Sequence, residues 1–301
     1  MGNRKKSVQW LKEIIVTILL ILLSACCIIL SIRIEKLEQQ IDEIKTDADK
    51  KLEIIWDDQV MLEEEEQKDT EESSETEIEI GVEDDENTKK VYLTFDDGPS
   101  IYTEEILKIL REYNVKATFF VSGENAEKYD GYLQKILDDG HSLGIHTYNH
   151  VYSEIYASLE SFQNDFKRTS ECIKQQTGAE VKLYRFPGGS GNTVVSYHDK
   201  MEMMEWLKQE DIVYFDWNVS SGDGGSAVLS PEILAKNCIE GVKAKDMAIV
   251  LLHDAGDKKN TVEALPFIIE GINQLGDTRL LPIDKETVTV QHMSLEKDGV
   301  K

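Results

Sequence analysis

Two hydrophobic patterns divide this chain. From Ile14 to Ile32 it runs apolar without a single charged residue. Nineteen residues of helix rise about 28 Å, close to the hydrocarbon thickness of a bilayer, so residues 14–32 are expected to be a transmembrane helix. Beyond it Leu37, Ile41, Ile44 and Ala48 recur at spacings of four, three and four. Such a heptad-like stripe could extend the helix outward or make a weak dimer through residues 34–48. From about Lys90 the pattern changes to short apolar runs alternating with amphipathic stretches. Val91–Phe95, Ala117–Val121, Ser142–Ile145, Leu183–Phe186, Ile212–Phe215 and Met247–Leu251 predict strands. Tyr102–Tyr113, Gly131–Asp139, Ser158–Gln176, Lys200–Lys208, Pro231–Gly241 and Thr261–Leu275 predict helices. This alternation implies an α/β fold, a parallel sheet with crossover helices as a barrel or a doubly wound sheet. No Gly-x-Gly-x-x-Gly follows the first strand, which disfavours a dinucleotide fold.

Charge sharpens the domain picture. The net charge of −25 over 301 residues is concentrated between Asp57 and Glu86, where sixteen Asp/Glu stand against one lysine. That segment repels itself and has little apolar surface to bury, so residues 33–89 are expected to be a stalk, helical and then disordered. Arg4, Lys5, Lys6 and Lys12 precede the apolar span, which places residues 1–13 in the cytoplasm and the rest outside, a single-pass protein of the cell membrane. The span is longer than a cleaved signal peptide's apolar region and lacks a polar stretch before a cleavage site. Leu23-Ser24-Ala25-Cys26 is similar to a lipoprotein processing box, but Cys27-Ile28-Ile29-Leu30 continues apolar where a lipidated terminus turns polar. No basic stripe suggests nucleic acid as a partner. Cys26, Cys27, Cys172 and Cys238 contain no C-x-x-C pair. A thiolate zinc site is disfavoured, and Cys172 and Cys238 are expected as buried free thiols rather than as a pair.

The candidate chemistry lies at strand ends, where a (β/α) barrel keeps its active site. The first strand ends in Asp96-Asp97-Gly98-Pro99, the third in His146-Thr147-Tyr148-Asn149-His150, the fourth in Arg185-Phe186-Pro187-Gly188-Gly189. The fifth leads to Asp216-Trp217 and Asp223, the sixth to His253-Asp254. Alternation along a strand gives Asp96 and Asp97 different jobs. His146 and His150 are four apart, which one helical turn would bring to one side. Two histidines and an aspartate leave coordination positions open on a zinc ion, as a catalytic site requires.

Thr94-Phe95-Asp96-Asp97-Gly98-Pro99 followed by His146-Thr147-x-x-His150 resembles the polysaccharide deacetylase family, carbohydrate esterases with the NodB homology domain. Arg185-x-Pro187, Asp223 and Leu251-x-His253 resemble its remaining motifs in the same order. The resemblance covers residues 90–285, leaving 286–301 as a tail. It implies a distorted (β/α) barrel of about seven strands and metal-dependent removal of N-acetyl groups from glycans, or of O-acetyl groups in some members. By it, Asp97, His146 and His150 would be ligands of a divalent metal, zinc first, with cobalt or nickel as alternatives. Asp96 would be the general base, His253 the general acid, Arg185 the partner of Asp96 and Asp223, rather than Asp216, the partner of His253. A carboxylate beside a cation favours the form that accepts a proton, and an imidazole beside a carboxylate favours the form that gives one. A backbone N–H near Pro187-Gly188 would face the acetyl oxygen.

Two positions depart from the family pattern. Gly188 stands where an aromatic residue is common, and Gly224 follows Asp223 where a tryptophan is usual, with Trp217 six residues earlier. Among the remaining residues, His141 is expected as a polar strand-boundary residue, His198 and His292 as solvent-facing, Asp254 as the cap of the turn that follows it, and Met201, Met203, Met204 and Trp206 as helix core. The substrate expected of a tethered domain is peptidoglycan or a chitin-like oligosaccharide. The rival readings are an O-acetyl polysaccharide esterase and a tethered glycan-binding protein with a vestigial site.

Overall fold

The computed structural model describes residues 88–295. The expected tail at 1–13, the span at 14–32, the dimer stripe at 34–48 and the acidic run from Asp57 to Glu86 lie outside them. Among the described residues no helix is long and apolar enough to cross a membrane.

Among the described residues eight strands and eight helices largely alternate, against six of each anticipated. The strands are β1 (Lys89–Asp96), β2 (Thr118–Ser122), β3 (Ser142–Thr147), β4 (Leu183–Tyr184), β5 (Val213–Tyr214), β6 (Val219–Ser220), β7 (Met247–His253) and β8 (Thr278–Leu280). The helices are α1 (Thr103–Glu112), α2 (Gly123–Lys128), α3 (Tyr132–Asp138), α4 (Tyr152–Ile155), α5 (Leu159–Thr177), α6 (Tyr197–Gln209), α7 (Pro231–Lys243) and α8 (Lys259–Asn273). The sequence pattern misses β6, β8, α2 and α4, which at two to six residues are too short to show a period.

All strand pairs are parallel, in the order β5-β4-β3-β2-β1-β7-β6, with β8 on the first residues of β1. No pairing joins β5 to β6 among the described residues, so the seven-strand path is a curled half-barrel, an open form of the expected barrel. Alternation along β1 fixes its two faces. Val91, Leu93 and Phe95 pack outward under the helices, while Tyr92 joins Phe120, Leu183, Phe215 and Ile249 on the concave side.

The chain after β8 fills that concavity. Ile283 is fully buried in the inner cluster, with Leu281 and Val290 against it. The Ile283 N–H donates to Thr118 Oγ1 at 2.7 Å, and the Asp216 N–H donates to Val290 O at 2.7 Å. Tyr214 Oη donates to Met293 O at 2.8 Å. The packed chain therefore runs past residue 285, where a tail is expected, because the open edge of the half-barrel needs an apolar cover. Cys172 and Cys238 are both free and buried.

Candidate active site

The β1–β7 register sets the frame. Asp96, the last residue of β1, lies directly opposite His253, the last residue of β7, and beside Phe120 of β2. Asp96 is buried and its Oδ1 accepts from Arg185 Nη1 at 2.9 Å. Arg185 is itself fully buried. Its Nη1 also reaches Thr94 Oγ1 at 2.6 Å, its Nε donates to Phe215 O at 3.0 Å and its Nη2 to Asp216 O at 3.0 Å. The guanidinium lies 4.2 Å over the Phe120 ring. A buried cation with this many fixed acceptors has one orientation, and it transmits that orientation to Asp96.

Alternation alone would send Asp97 to the helix-covered face. Its φ of +73° turns it back to the strand ends instead. Gly98 follows with no room for a side chain, since a Cβ there would meet Asp254 Oδ2 at 2.5 Å. Asp254 is buried and holds this turn from the β7 side, accepting from Ser100 Oγ at 2.5 Å and from Thr103 Oγ1 at 2.6 Å. It thus caps an upstream turn, not the following one. Burial pushes its carboxyl up to about 6, against the two hydroxyl bonds.

His146 and His150 meet without a helix. His146 is buried near the end of β3, and His150 follows a turn with φ +57°. Asp165 of α5 holds that turn, its Oδ1 accepting at 3.0 Å from both Thr147 Oγ1 and the Tyr148 N–H. The expected helical turn is therefore replaced by a strand end and a pinned loop, because β3 carries His146 still in the sheet. Arg185 O lies 2.9 Å from His146 Nδ1, which fixes the ring and leaves Nε2 free to face Asp97. Burial pushes the His146 imidazole below its usual range, outweighing the nearby carboxylates, and so favours the neutral ring that ligates metals.

Both histidine Nε2 atoms lie 3.6 Å from Asp97 Oδ1. The three ligand atoms fall within 4.8 Å of one another. Asp97 Oδ1 is buried with no hydrogen-bond donor, an arrangement costly to a carboxylate unless a cation completes it. Two imidazoles and a carboxylate fit a divalent metal with open positions.

On the far side of Asp96, His253 Nδ1 lies 2.8 Å from Asp223 Oδ1, and the His253 N–H donates to Asp223 Oδ2 at 2.8 Å. Thr261 Oγ1 adds a bond to Oδ2 at 2.9 Å. Burial works against the imidazolium, but the Asp223 bond and the charges of Asp223, Asp96 and Asp97 outweigh it and raise His253 to about 9. Burial likewise opposes the Asp223 carboxylate, which the His253 bond and charge nonetheless hold below its usual range. Asp216 faces elsewhere. It accepts from the Ser190 N–H and the His292 N–H, each at 2.7 Å, and from the Ser190 hydroxyl.

The loop after Arg185 has left-handed glycines at 188 and 189. The Gly189 and Ser190 N–H groups are engaged by Phe186 O and Asp216 Oδ1. The Gly188 N–H meets no acceptor among the described residues, so it is a donor this loop can offer. His292 is exposed, as expected, and also packs edge-on against Trp217 with ring centroids 5.0 Å apart and Nε2 donating to Trp217 O at 2.7 Å. His141, expected at a boundary, is buried and accepts from the Ala117 N–H at 3.1 Å. Met203, Met204 and Trp206 are buried helix core and His198 is exposed.

The sequence profile described as polysaccharide deacetylase matches residues 83–205. The chain is 32% identical over 192 residues to a peptidoglycan-N-acetylglucosamine deacetylase of Bacillus cereus, covering 63% of this chain and 84% of that one. The chain belongs to the polysaccharide deacetylase family. A bifunctional xylanase/deacetylase of Pseudobutyrivibrio xylanivorans is 34% identical over 194 residues, 64% of this chain and 30% of the relative's length. The catalytic domain of a peptidoglycan N-acetylglucosamine deacetylase from Eubacterium rectale superposes with a TM-score of 0.66 at 36% identity, covering 69% of this chain and 94% of that domain. Against the family pattern, glycines stand at 188 and 224. A Cβ at Gly224 would stand 2.7 Å from His253 Cε1, so the His253 ring occupies the place of a side chain there. Trp217 does not replace it, since it packs over Arg185 and against His292.

Proposed function

We propose that this deacetylase removes N-acetyl groups from an amino-sugar polysaccharide, peptidoglycan or a chitin-like oligosaccharide, with a divalent metal held by Asp97, His146 and His150. The observation that carries the reading is the pairing across β1 and β7, which sets a carboxylate fixed by Arg185 opposite an imidazole charged by Asp223, beside three convergent ligand atoms. When bound, a zinc-like cation supplies Lewis acidity that polarises an acetyl carbonyl and makes water able to lose a proton near neutral pH. Asp96, aimed by Arg185, takes that proton. The Gly188 N–H donates to the acetyl oxygen as negative charge develops on it, and being fixed beforehand it needs no reorganisation. His253, carrying a proton at pH 7, gives it to the leaving nitrogen. Zinc is the first choice of metal, with cobalt and nickel next.

Acetate release from N-acetylated chito-oligosaccharides and from peptidoglycan by the purified full chain, with metal analysis of the same preparation, tests this. Release that disappears on chelation and returns with zinc is the expected result. A metal-loaded protein that releases none would end the reading, and glycan affinity without turnover would favour the vestigial binding protein. O-deacetylation is the second reading, favoured by the xylanase/deacetylase relative. Acetylated xylan compared side by side with N-acetyl substrates separates the two.

We further infer a cell-membrane location, with the N-terminus inside and the catalytic domain outside on the acidic stalk. The uncharged run from Ile14 to Ile32, with most of the nearby positive charge before it, supports this. Protease added to intact cells should remove the domain, and its protection there would overturn the topology.

A further inference from the structure

We propose that Tyr152 binds the substrate of this deacetylase, its ring a wall for the acetylated sugar and its hydroxyl a hydrogen-bond partner to that sugar. The proposal rests on the glycan-deacetylase reading above. Tyr152 opens α4, two residues after His150, and its ring stands edge-on to the His150 imidazole with centroids 5.3 Å apart at 87°. On its other side it meets Tyr156 at 5.9 Å, whose hydroxyl donates to Pro187 O at 2.9 Å. The two tyrosines therefore bridge the metal-ligand turn and the Gly-rich loop. A Cβ at Gly188 would lie 2.8 Å from the Tyr152 hydroxyl oxygen and 3.4 Å from its Cε1. Tyr152 thus fills, from another element, the space that a side chain at 188 would take. The residue is only half-buried, and its hydroxyl has no hydrogen-bond partner among the described residues.

Its ring thus touches the His150 imidazole while its hydroxyl stands at the side-chain position of Gly188, beside the two groups proposed to hold the acetyl group. A sugar attached to that acetyl group presents C–H faces to the ring and hydroxyls to the phenol, and a tyrosine serves both at small entropic cost. A purely structural tyrosine would act instead by steadying His150, and would then affect every acetyl substrate alike.

The test compares an N-acetylated chito-oligosaccharide with 4-nitrophenyl acetate, which carries no sugar, on the full-length wild type, Tyr152→Phe and Tyr152→Ala. For Tyr152→Phe the ratio of oligosaccharide to aryl-acetate kcat/KM should fall about five- to tenfold, the worth of one neutral hydrogen bond, with the loss in KM. Tyr152→Ala should lower the ratio further. Calorimetric affinity for the oligosaccharide should fall by the same factor when Tyr152→Phe is added to Asp96→Asn. An unchanged ratio, or a loss of bound metal in step with turnover, would overturn the proposal. If the wild type ignores chito-oligosaccharides, the N-acetyl reading alone fails, and the same ratio measured with acetylated xylo-oligosaccharides decides the role of Tyr152.

Discussion

Asp96 and Asp97 are neighbours with separate partners, and the separation is made by one backbone dihedral. With φ at +73°, Asp97 reaches His146 and His150, while Asp96 stays in the sheet on Arg185. Asp97→Asn and His150→Ala should each lose bound metal. Asp96→Asn should keep it and lower kcat by about 10²- to 10⁴-fold, the usual contribution of a general base. Metal analysis beside acetate release checks both, and equal metal loss in all three variants would contradict the division of labour. His253 extends the argument to pH. Its imidazolium persists up to about 9, so turnover should fall as pH rises through that value. Asp223→Asn removes the largest favourable contribution and should move this alkaline limb to lower pH. For stability the sign is the same. A raised imidazole value adds stability that is complete below 6.5 and is lost as pH rises through about 9.

At the scale of elements, the site is held by short-range turns and very long-range ties. Asp254 at the end of β7 fixes the turn after β1, and Asp165 on α5 fixes the turn after β3. Gly98→Ala would drive a Cβ onto the Asp254 carboxylate and should destabilise by about 1–3 kcal/mol, as overpacking of a filled site does. Urea denaturation measures that loss, which would be absent if the turn could shift freely. Residue type marks strand ends well, since an apolar run closing on Asp-Asp-Gly-Pro or His-x-x-x-His is visible in one dimension. It does not mark the partners. Ser100 and Asp254 are 154 residues apart, and neither has an unusual neighbourhood along the chain.

For the whole domain, the segment after β8 has the largest effect. A half-barrel whose edge strands β5 and β6 do not pair with each other among the described residues leaves an apolar concavity, and Ile283 and Val290 cover it while His292 and the Ser190 loop share Asp216. Deleting residues 286–301 should expose that concavity and leave Asp216 a buried carboxylate short of donors. A loss of several kcal/mol follows from truncating one side of such a network, read as a lower denaturation midpoint and new binding of a hydrophobic dye. A deletion without effect would restore the tail reading of these residues.

The strand-helix alternation, the concentration of Asp, His and Arg at strand ends and the order of the motifs were legible in the sequence, because period and residue chemistry are local properties. The register that faces Asp96 with His253 was not, nor the left-handed turns at Asp97 and His150, or the cover over the half-barrel. These depend on which distant segment supplies a hydrogen-bond donor or fills an apolar space. Only the closed packing of the chain determines that.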